Sequence, residues 1–284
     1  MRSQALLKVA QETVSERQVV LNQISALVQN KLKSNLDLSF ANVNLAQAKL
    51  LEIQAQNNLT IALAQLTRAM GLQALQLHTL AEQPAPPAPP SDSAALVAEA
   101  LAKRPEIIAS RFDRDSAYKL ERADRDLSLP RVIAEGDAGY IPVIAQLTLP
   151  RVIPNHYEAA AIDIEVPVFN GHLFAARRQA AMLRAHAAGE DLRDAQESIA
   201  RDVRVAWASA VTAFQQIGVA NQLVSQAKLA FALAQGRYKL GQGSIVELSQ
   251  AQLNETQAEI QAVNARYDFQ ARDAALQYQV GNLR

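Results

Sequence analysis

The chain has 284 residues, room for one or two ordinary domains, yet only 5% are aromatic while alanine and glutamine abound, so thin helix–helix seams are expected instead of a thick core. Its 28 basic and 28 acidic residues balance, which leaves no basic field to draw in nucleic acid. Cysteine is absent, which excludes disulfides, thiolate catalysis and cysteine-ligated zinc, and an oxidising compartment such as the periplasm is permitted.

The opening stretch MRSQALLKVAQETVSERQ lacks the apolar centre of a secretory signal and reads as the middle of an amphipathic helix. No run of about 18 apolar residues occurs, so no transmembrane helix is expected. Residues 1–81 read as a helical hairpin. EQPAPPAPPSDS, residues 82–93, is a proline-rich linker, too stiff to pack and too polar to bury. Ser93 ahead of an apolar run signals a helix start. KRPEIIASRFDRDSAYKLERADRDLSLP then reads as a charged amphipathic helix that ends before Pro130.

Residues 131–169 change period and predict a β-hairpin. In RVIAEGDAGYI, Val132, Ala134, Gly136, Ala138 and Tyr140 fall on one face, with Glu135 and Asp137 on the other. In YEAAAIDIEVPVF, Ala160, Ile162, Ile164, Val166 and Val168 share a face opposite Asp163 and Glu165. Each segment has the length of about ten residues that a membrane barrel strand requires, and the same alternation fits a soluble two-stranded hairpin packed on a helix. Pro142, Pro150 and Pro154 cut the connection, so VIAQLTLP reads as loop or further strand.

From Gly171 to Leu240 the pattern is helical again, on the order of 100 Å if continuous at 1.5 Å per residue. Val203, Ala206, Ala210, Ala213, Ile217, Ala220, Val224, Ala227, Phe231, Ala234 and Tyr238 alternate by three and four, which is the seam of a coiled coil. Leu173, Ala176, Ala180, Leu183 and Ala187 extend it upstream in a shifted phase. The run then stops at KLGQGSIVELSQAQ and restarts at once. Gly241 and Gly243 let the chain reverse through positive φ. Ser244 caps the returning helix, and Glu247 completes a capping box. On that helix Leu248, Ala251, Ala258, Ala262, Ala265, Phe269 and Leu276 form one stripe. Val246, Leu253, Ile260, Val263 and Tyr267 form a second, so two helical neighbours are expected.

The opening hairpin matches the closing one at an offset of 210 residues without a gap. Val9, Ala10, Val14 and Ser15 meet Val219, Ala220, Val224 and Ser225; Ser34, Leu38, Ser39, Ala41 and Asn44 meet Ser244, Leu248, Ser249, Ala251 and Asn254; Gly71 meets Gly281. Asp37 takes the place of Glu247. Alanine-rich heptads give chance identities in any phase, but seldom preserve the turn, the serine, the acid and the closing glycine together. The domain plan is therefore the C-terminal part of a first repeat over 1–81, a linker over 82–93 and a second repeat over 94–284, with its long helical hairpin at 171–281.

On RPEI (Arg104 to Ile107), LP (Leu129, Pro130), VPVFNG (Val166 to Gly171) and YKLGQGSIVELSQAQ (Tyr238 to Gln252), in that order on those elements, the sequence resembles the TolC-like outer membrane efflux proteins. The resemblance covers nearly the whole chain. It implies a mainly α fold of duplicated antiparallel coiled-coil hairpins, with a β-hairpin contributing to a membrane barrel. It further implies a homotrimeric channel-tunnel for efflux or type I secretion. That tunnel is seated in outer membrane lipid, reaches into the periplasm and makes no covalent chemistry. Its partners would be a periplasmic adaptor and an inner-membrane pump of RND or ABC type, and no cofactor is expected.

The resemblance also assigns site residues. Asp37 and Glu247 would ring a gated mouth and favour cations in transit. Gln250 stands where many relatives carry a second acid, and Gly243 where some carry a basic gate residue. Tyr238 matches the aromatic of the tip and also lies on the seam. Ser34, Gly241, Gly243 and Ser244 would form the tip that an adaptor grips, and Glu135, Asp137, Asp163 and Glu165 would line the barrel lumen. Capping alone accounts equally well for Asp37 and Glu247, and a solvated strand face for the other four acids. His172 stands where the family has a second glycine after Gly171.

By the repeat offset Met1 corresponds to Val211, so the counterparts of roughly residues 96–210 are expected to be missing, with one strand pair. Two strands per chain give six in a trimer, below the barrel minimum of about eight, so this polypeptide alone is not expected to form a channel. A periplasmic adaptor or other coiled-coil interaction protein is the alternative, as is a truncated chain without activity of its own. Adaptors, however, carry a lipoyl-like domain around a single hairpin. His78, His156, His172 and His186 lack ligand-like spacing, and no nucleophile elbow places a Ser-His-Asp set, so neither metal nor catalysis is expected. Trp207 reads as a packing residue beside the seam.

Overall fold

The structure, a computed structural model, describes residues 1–72, 80–81, 84, 86–140 and 156–283. Pro142, Pro150, Pro154, the segment VIAQLTLP and His78 lie outside the described residues, as do Glu82, Gln83 and Ala85 of the linker. In chain order the elements are α1 (Arg2–Gln29), α2 (Asn35–Ala69), α3 (Ala94–Lys103), α4 (Pro105–Asp126), β1 (Arg131–Tyr140), β2 (His156–Glu165), α5 (Leu173–Lys239) and α6 (Ile245–Val280). Among the described residues the protein is mainly helical with one small antiparallel sheet. None of the described helices is long and apolar enough to cross a membrane.

The chain divides into two compact units, Met1–Ala100 with Arg201–Arg284, and Leu101–Ala200. In the first, α1 packs along α2 and both touch α6. All eleven residues of the seam from Val203 to Tyr238 are buried or half-buried. So are all seven of the first stripe of α6, where Phe269 stacks at a tilt on Phe214 of α5 with ring centroids 5.2 Å apart. The second stripe divides: Ile260, Val263 and Tyr267 are half-buried, whereas Val246 and Leu253 stay 58% and 46% exposed.

Upstream of Val203 the predicted phase fails. Leu173 and Leu183 are 50% and 59% exposed, and the buried positions are Ala181, Ala185, Leu192 and Ile199. Alanine at nearly every turn of this segment lets several phases read as apolar, so periodicity could not choose among them. The helix predicted to run to Pro130 is interrupted at Arg104, because Pro105 lacks the amide that would continue α3 and instead opens α4. Helix α3 starts directly after Ser93, whose carbonyl accepts from the Val97 amide at 3.0 Å, and Asp92 adds a bond from the Ala94 amide at 3.2 Å. Pro90 of the linker is tied down, its carbonyl accepting from Trp207 Nε1 at 2.8 Å.

In the second unit β1 pairs antiparallel with β2, Arg131 opposite Glu165 through Tyr140 opposite His156. Strand β2 ends at Glu165, so Val166 and Val168, expected on its apolar face, lie beyond it. The turn into α5 carries two consecutive positive φ angles, 61° at Gly171 and 67° at His172. A glycine accommodates this conformation freely and a histidine does not.

Candidate functional site at the hairpin tips

Both tips reverse by one backbone device. In the first, the Leu32 amide donates to the Leu27 carbonyl at 2.9 Å and the Lys31 amide to Val28 at 2.9 Å. In the second, the Gln242 amide reaches Arg237 at 2.8 Å and the Gly241 amide reaches Tyr238 at 3.1 Å. This is the Schellman pattern, with the left-handed residue at φ 60° for Lys31 and 75° for Gly241. Ser34 and Ser244 then adopt the same extended cap, φ −89° and −91°. Each is offset by 210 residues from its counterpart, as the sequence match requires.

Two expectations change at this point. Gly243 does not have positive φ; it is small for a different reason, since a Cβ there would come within 3.3 Å of Arg237 Cβ, Glu247 Oε2 and the Tyr238 amide nitrogen. The two acids also part company. At the first tip the capping box is reciprocal: Asp37 Oδ2 accepts from the Ser34 amide at 2.9 Å and from its hydroxyl at 2.7 Å, while the Asp37 amide donates to Ser34 Oγ at 3.2 Å. At the second, only the Glu247 amide is engaged with Ser244, at 3.1 Å. The Glu247 carboxylate crosses the turn instead, accepting from Arg237 Nη1 at 2.9 Å. Its longer side chain reaches an arginine that has no equivalent at the first tip, where Leu27 stands.

The tips are locked together by a shared apolar core. Val20 and Ile24 of α1, Ala41 of α2, Ala234 and Tyr238 of α5, and Ile245 and Leu248 of α6 are all buried there. Each large side chain fully buried in such a cluster contributes about 1.5–3 kcal/mol. Tyr238 is at its centre, 3% exposed, and Lys33 of the other tip places its ammonium 4.1 Å from the ring centroid. The Tyr238 hydroxyl makes no hydrogen bond, and burial first, then the Asp37 carboxylate beside it, push the phenol up to about 12. Gln250 is exposed and bonds only along its own helix, donating to Asn254 at 2.9 Å.

Lys33, Lys31 and Arg237 were not singled out in the sequence. Each breaks the copy-to-copy match, facing Gly243, Gly241 and Leu27, and that mismatch is the signal that marks them.

The four strand acids share one face, since odd residues of β1 pair with odd residues of β2. Glu135 lies opposite Ala161 and Asp137 opposite Ala159; Asp163 lies opposite Ile133, and Glu165 opposite Arg131, with which it forms an ion pair. On that face the Tyr157 ring covers Gly139, where a Cβ would fall 2.7 Å from the tyrosine hydroxyl. The other face carries Val132, Ala134, Ile162 and Ile164, joined by Glu158 and His156 at one end.

Helical hairpins with capped, interlocked tips and a strand pair that is apolar on one face and acidic on the other match the TolC-like fold of solved outer membrane channels. Residues 96–282 match the outer membrane efflux protein family, and the chain belongs to it. That membership places it among the outer membrane proteins of Gram-negative bacteria. It is 27% identical over 263 residues to the pyoverdine export outer membrane protein OpmQ of Pseudomonas putida, covering 90% of this chain and 53% of that one. The fold superposes on VceC of Vibrio cholerae with a TM-score of 0.76 at 18% identity, covering 99% of this chain and 66% of that one. The open-state MtrE channel of Neisseria gonorrhoeae gives 0.72 at 21%, covering 99% and 64%. The chain thus spans about half the length of its curated relative and about two thirds of the VceC and MtrE chains.

Proposed function

We propose that this chain is a component of a trimeric outer membrane channel-tunnel, a passive conduit for efflux or type I secretion. An inner-membrane pump of RND or ABC type would drive it through a periplasmic adaptor that grips the hairpin tips at Ser34, Gly241, Gly243 and Ser244. In this reading 1–81 is the C-terminal, hairpin-bearing part of a first repeat, joined by 82–93 to a second repeat over 94–284, and the matching backbone of the two tips supports the duplication.

The observation that carries the reading is the apolar surface left uncovered. Leu36, Val43 and Leu50 recur every seventh residue along α2 and are all exposed, as are Val246 and Leu253 on α6 and Val205, Val219 and Leu233 on α5. Rows of this kind suit coiled-coil packing between subunits. Both strands are exposed on nearly every residue, with Ile162 at 75%, so their apolar face awaits lipid and Glu135, Asp137, Asp163 and Glu165 face a lumen. Two strands from each of three chains are fewer than the eight or so of the smallest barrels, so closure takes strands beyond β1 and β2.

At the mouth, Asp37, Glu247, Tyr238 and Gln250 form the gate. Asp37 carries the unneutralised charge, while Arg237 offsets Glu247. The test is detergent extraction of outer membrane fractions from cells that produce a version extended to the relatives' full length. A heat-modifiable oligomer supports the conduit, and a soluble helical monomer rejects it.

A further inference from the structure

Between the tip core and the Phe214–Phe269 contact, polar groups converge where the seam otherwise holds alanine and leucine. Arg17 of α1 is 3% exposed, and Gln252 and Glu255 of α6 are 1% and 6% exposed. From Nη2, Arg17 donates to the Gln252 carbonyl at 2.6 Å and to the Thr256 hydroxyl at 2.8 Å. Asn44 of α2 donates to Ser249 Oγ at 2.9 Å and to Gln252 Oε1 at 3.1 Å. Lys228 of α5 pairs with Glu259 of α6 at 2.8 Å. Four helices therefore meet in one polar knot, buried at Arg17, Gln252 and Glu255 and open to solvent at Lys228.

Its charges do not balance. Among the described residues, Glu255 is faced by Glu16 and Arg17 from α1, Glu259 from α6 and Lys228 from α5, while α2 contributes the neutral Asn44 amide. Three carboxylates thus meet two cations. Lys228 is engaged by Glu259, and Arg17 spends its Nη2 on uncharged acceptors of α6. Arg17 Nη1, Gln252 Nε2 and Glu255 Oε2 are buried and make no hydrogen bond. An ionised carboxylate held this way is costly, and a protonated one is not.

We propose that this knot is a proton-controlled latch between the two hairpins: protonated Glu255 holds α1 against α6, and loss of the proton loosens the seam. Burial, then the charges of Glu16 and Glu259, push the Glu255 carboxyl up to about 7 against the lowering influence of Arg17 and Lys228. The same burial raises Glu16 and lowers Arg17. Because the folded value lies above the ordinary 4.5, the stabilisation is complete below 4.5 and is lost as pH rises towards about 7. The latch does not depend on the channel reading, since it concerns contacts within one chain.

The test is native-state hydrogen exchange on the full chain at pH 5.5 and 8.0, corrected for intrinsic rates and compared with Glu255→Gln. Protection of the Val20–Ile24 amides is expected to fall at least about tenfold at the higher pH in the wild type and to stay level in the variant. Equal behaviour of the two chains, whether level or falling, overturns the proposal. Should Glu255→Gln fail to fold, a carbon-13 titration of the wild-type carboxyl decides: an ordinary glutamate value overturns the latch, and a value near neutrality supports it.

Discussion

Lys33 at the tip of the first hairpin sets its ammonium 4.1 Å from the ring centroid of Tyr238, which belongs to the second hairpin. The contact joins two segments 205 residues apart in the chain, and it puts a cation where the other tip has only Gly243. A cation over an aromatic ring gains from about 0.5 kcal/mol at exposed sites to about 2 kcal/mol when desolvated, so with the ring buried and the lysine half-buried the contact is worth about 1–2 kcal/mol. Lys33→Gln is therefore expected to cost about that much in chemical denaturation. Tyr238→Phe keeps the ring and removes a buried hydroxyl with no hydrogen-bond partner, so it is expected to be neutral or stabilising by up to about 1 kcal/mol. A loss above that would show the hydroxyl bonded to Asp37.

The two caps should respond unequally. Ser34→Ala breaks a reciprocal box and is expected to cost about 1–2 kcal/mol, whereas Ser244→Ala breaks one bond and should cost about 0.5–1 kcal/mol. Thermal unfolding of the two variants side by side checks the order, and the reverse order contradicts the geometry.

Backbone strain gives a third pair. Gly241→Ala forces a Cβ into positive φ and is expected to destabilise by about 1–2 kcal/mol. Lys31→Gly relieves the same conformation at the first tip and should stabilise by about 0.5–1 kcal/mol. If both substitutions destabilise, Lys31 is held by contacts of its side chain.

At the proposed mouth, Arg237 offsets Glu247 and leaves Asp37 as the stronger cation attractor. In planar bilayers, using a version extended to the relatives' full length, Asp37→Asn is expected to reduce cation selectivity more than Glu247→Gln. Arg237→Gln should raise it. Selectivity unchanged in all three would leave these acids as helix caps alone.

On the strands, neighbouring substitutions should diverge. Ile162→Arg puts a charge on the apolar face, at about 2–4 kcal/mol if it meets the bilayer midplane, and is expected to abolish recovery of the detergent-extracted oligomer. Asp163→Arg, one residue away on the acidic face, should leave assembly intact. Equal loss in both would reject the assignment of faces.

Heptad spacing, the repeat offset and the S-x-x-acid caps made the helical hairpins, the seam from Val203 to Tyr238 and both turns legible in the sequence, because each is a local rule of side-chain period or backbone conformation. Alternation in the same way predicted the strand pair and its two faces. The stripe upstream of Val203 was not legible, since alanine fills several phases at once and only burial selects one. Nor was the partner of Glu247. A carboxylate beside a turn can close back on its cap or reach across to Arg237, and side-chain length with the approach of the two helices decides which.

What the residues determined unaided is a set of amphipathic rods and where they stop, since helix period and turn chemistry act within a few residues. What needed the folded chain is which polar groups meet far from their neighbours in sequence. Arg17 finds the Gln252 carbonyl across 235 positions, and Lys33 finds the Tyr238 ring, because the packing of hairpin on hairpin sets long-range distances that no local pattern encodes.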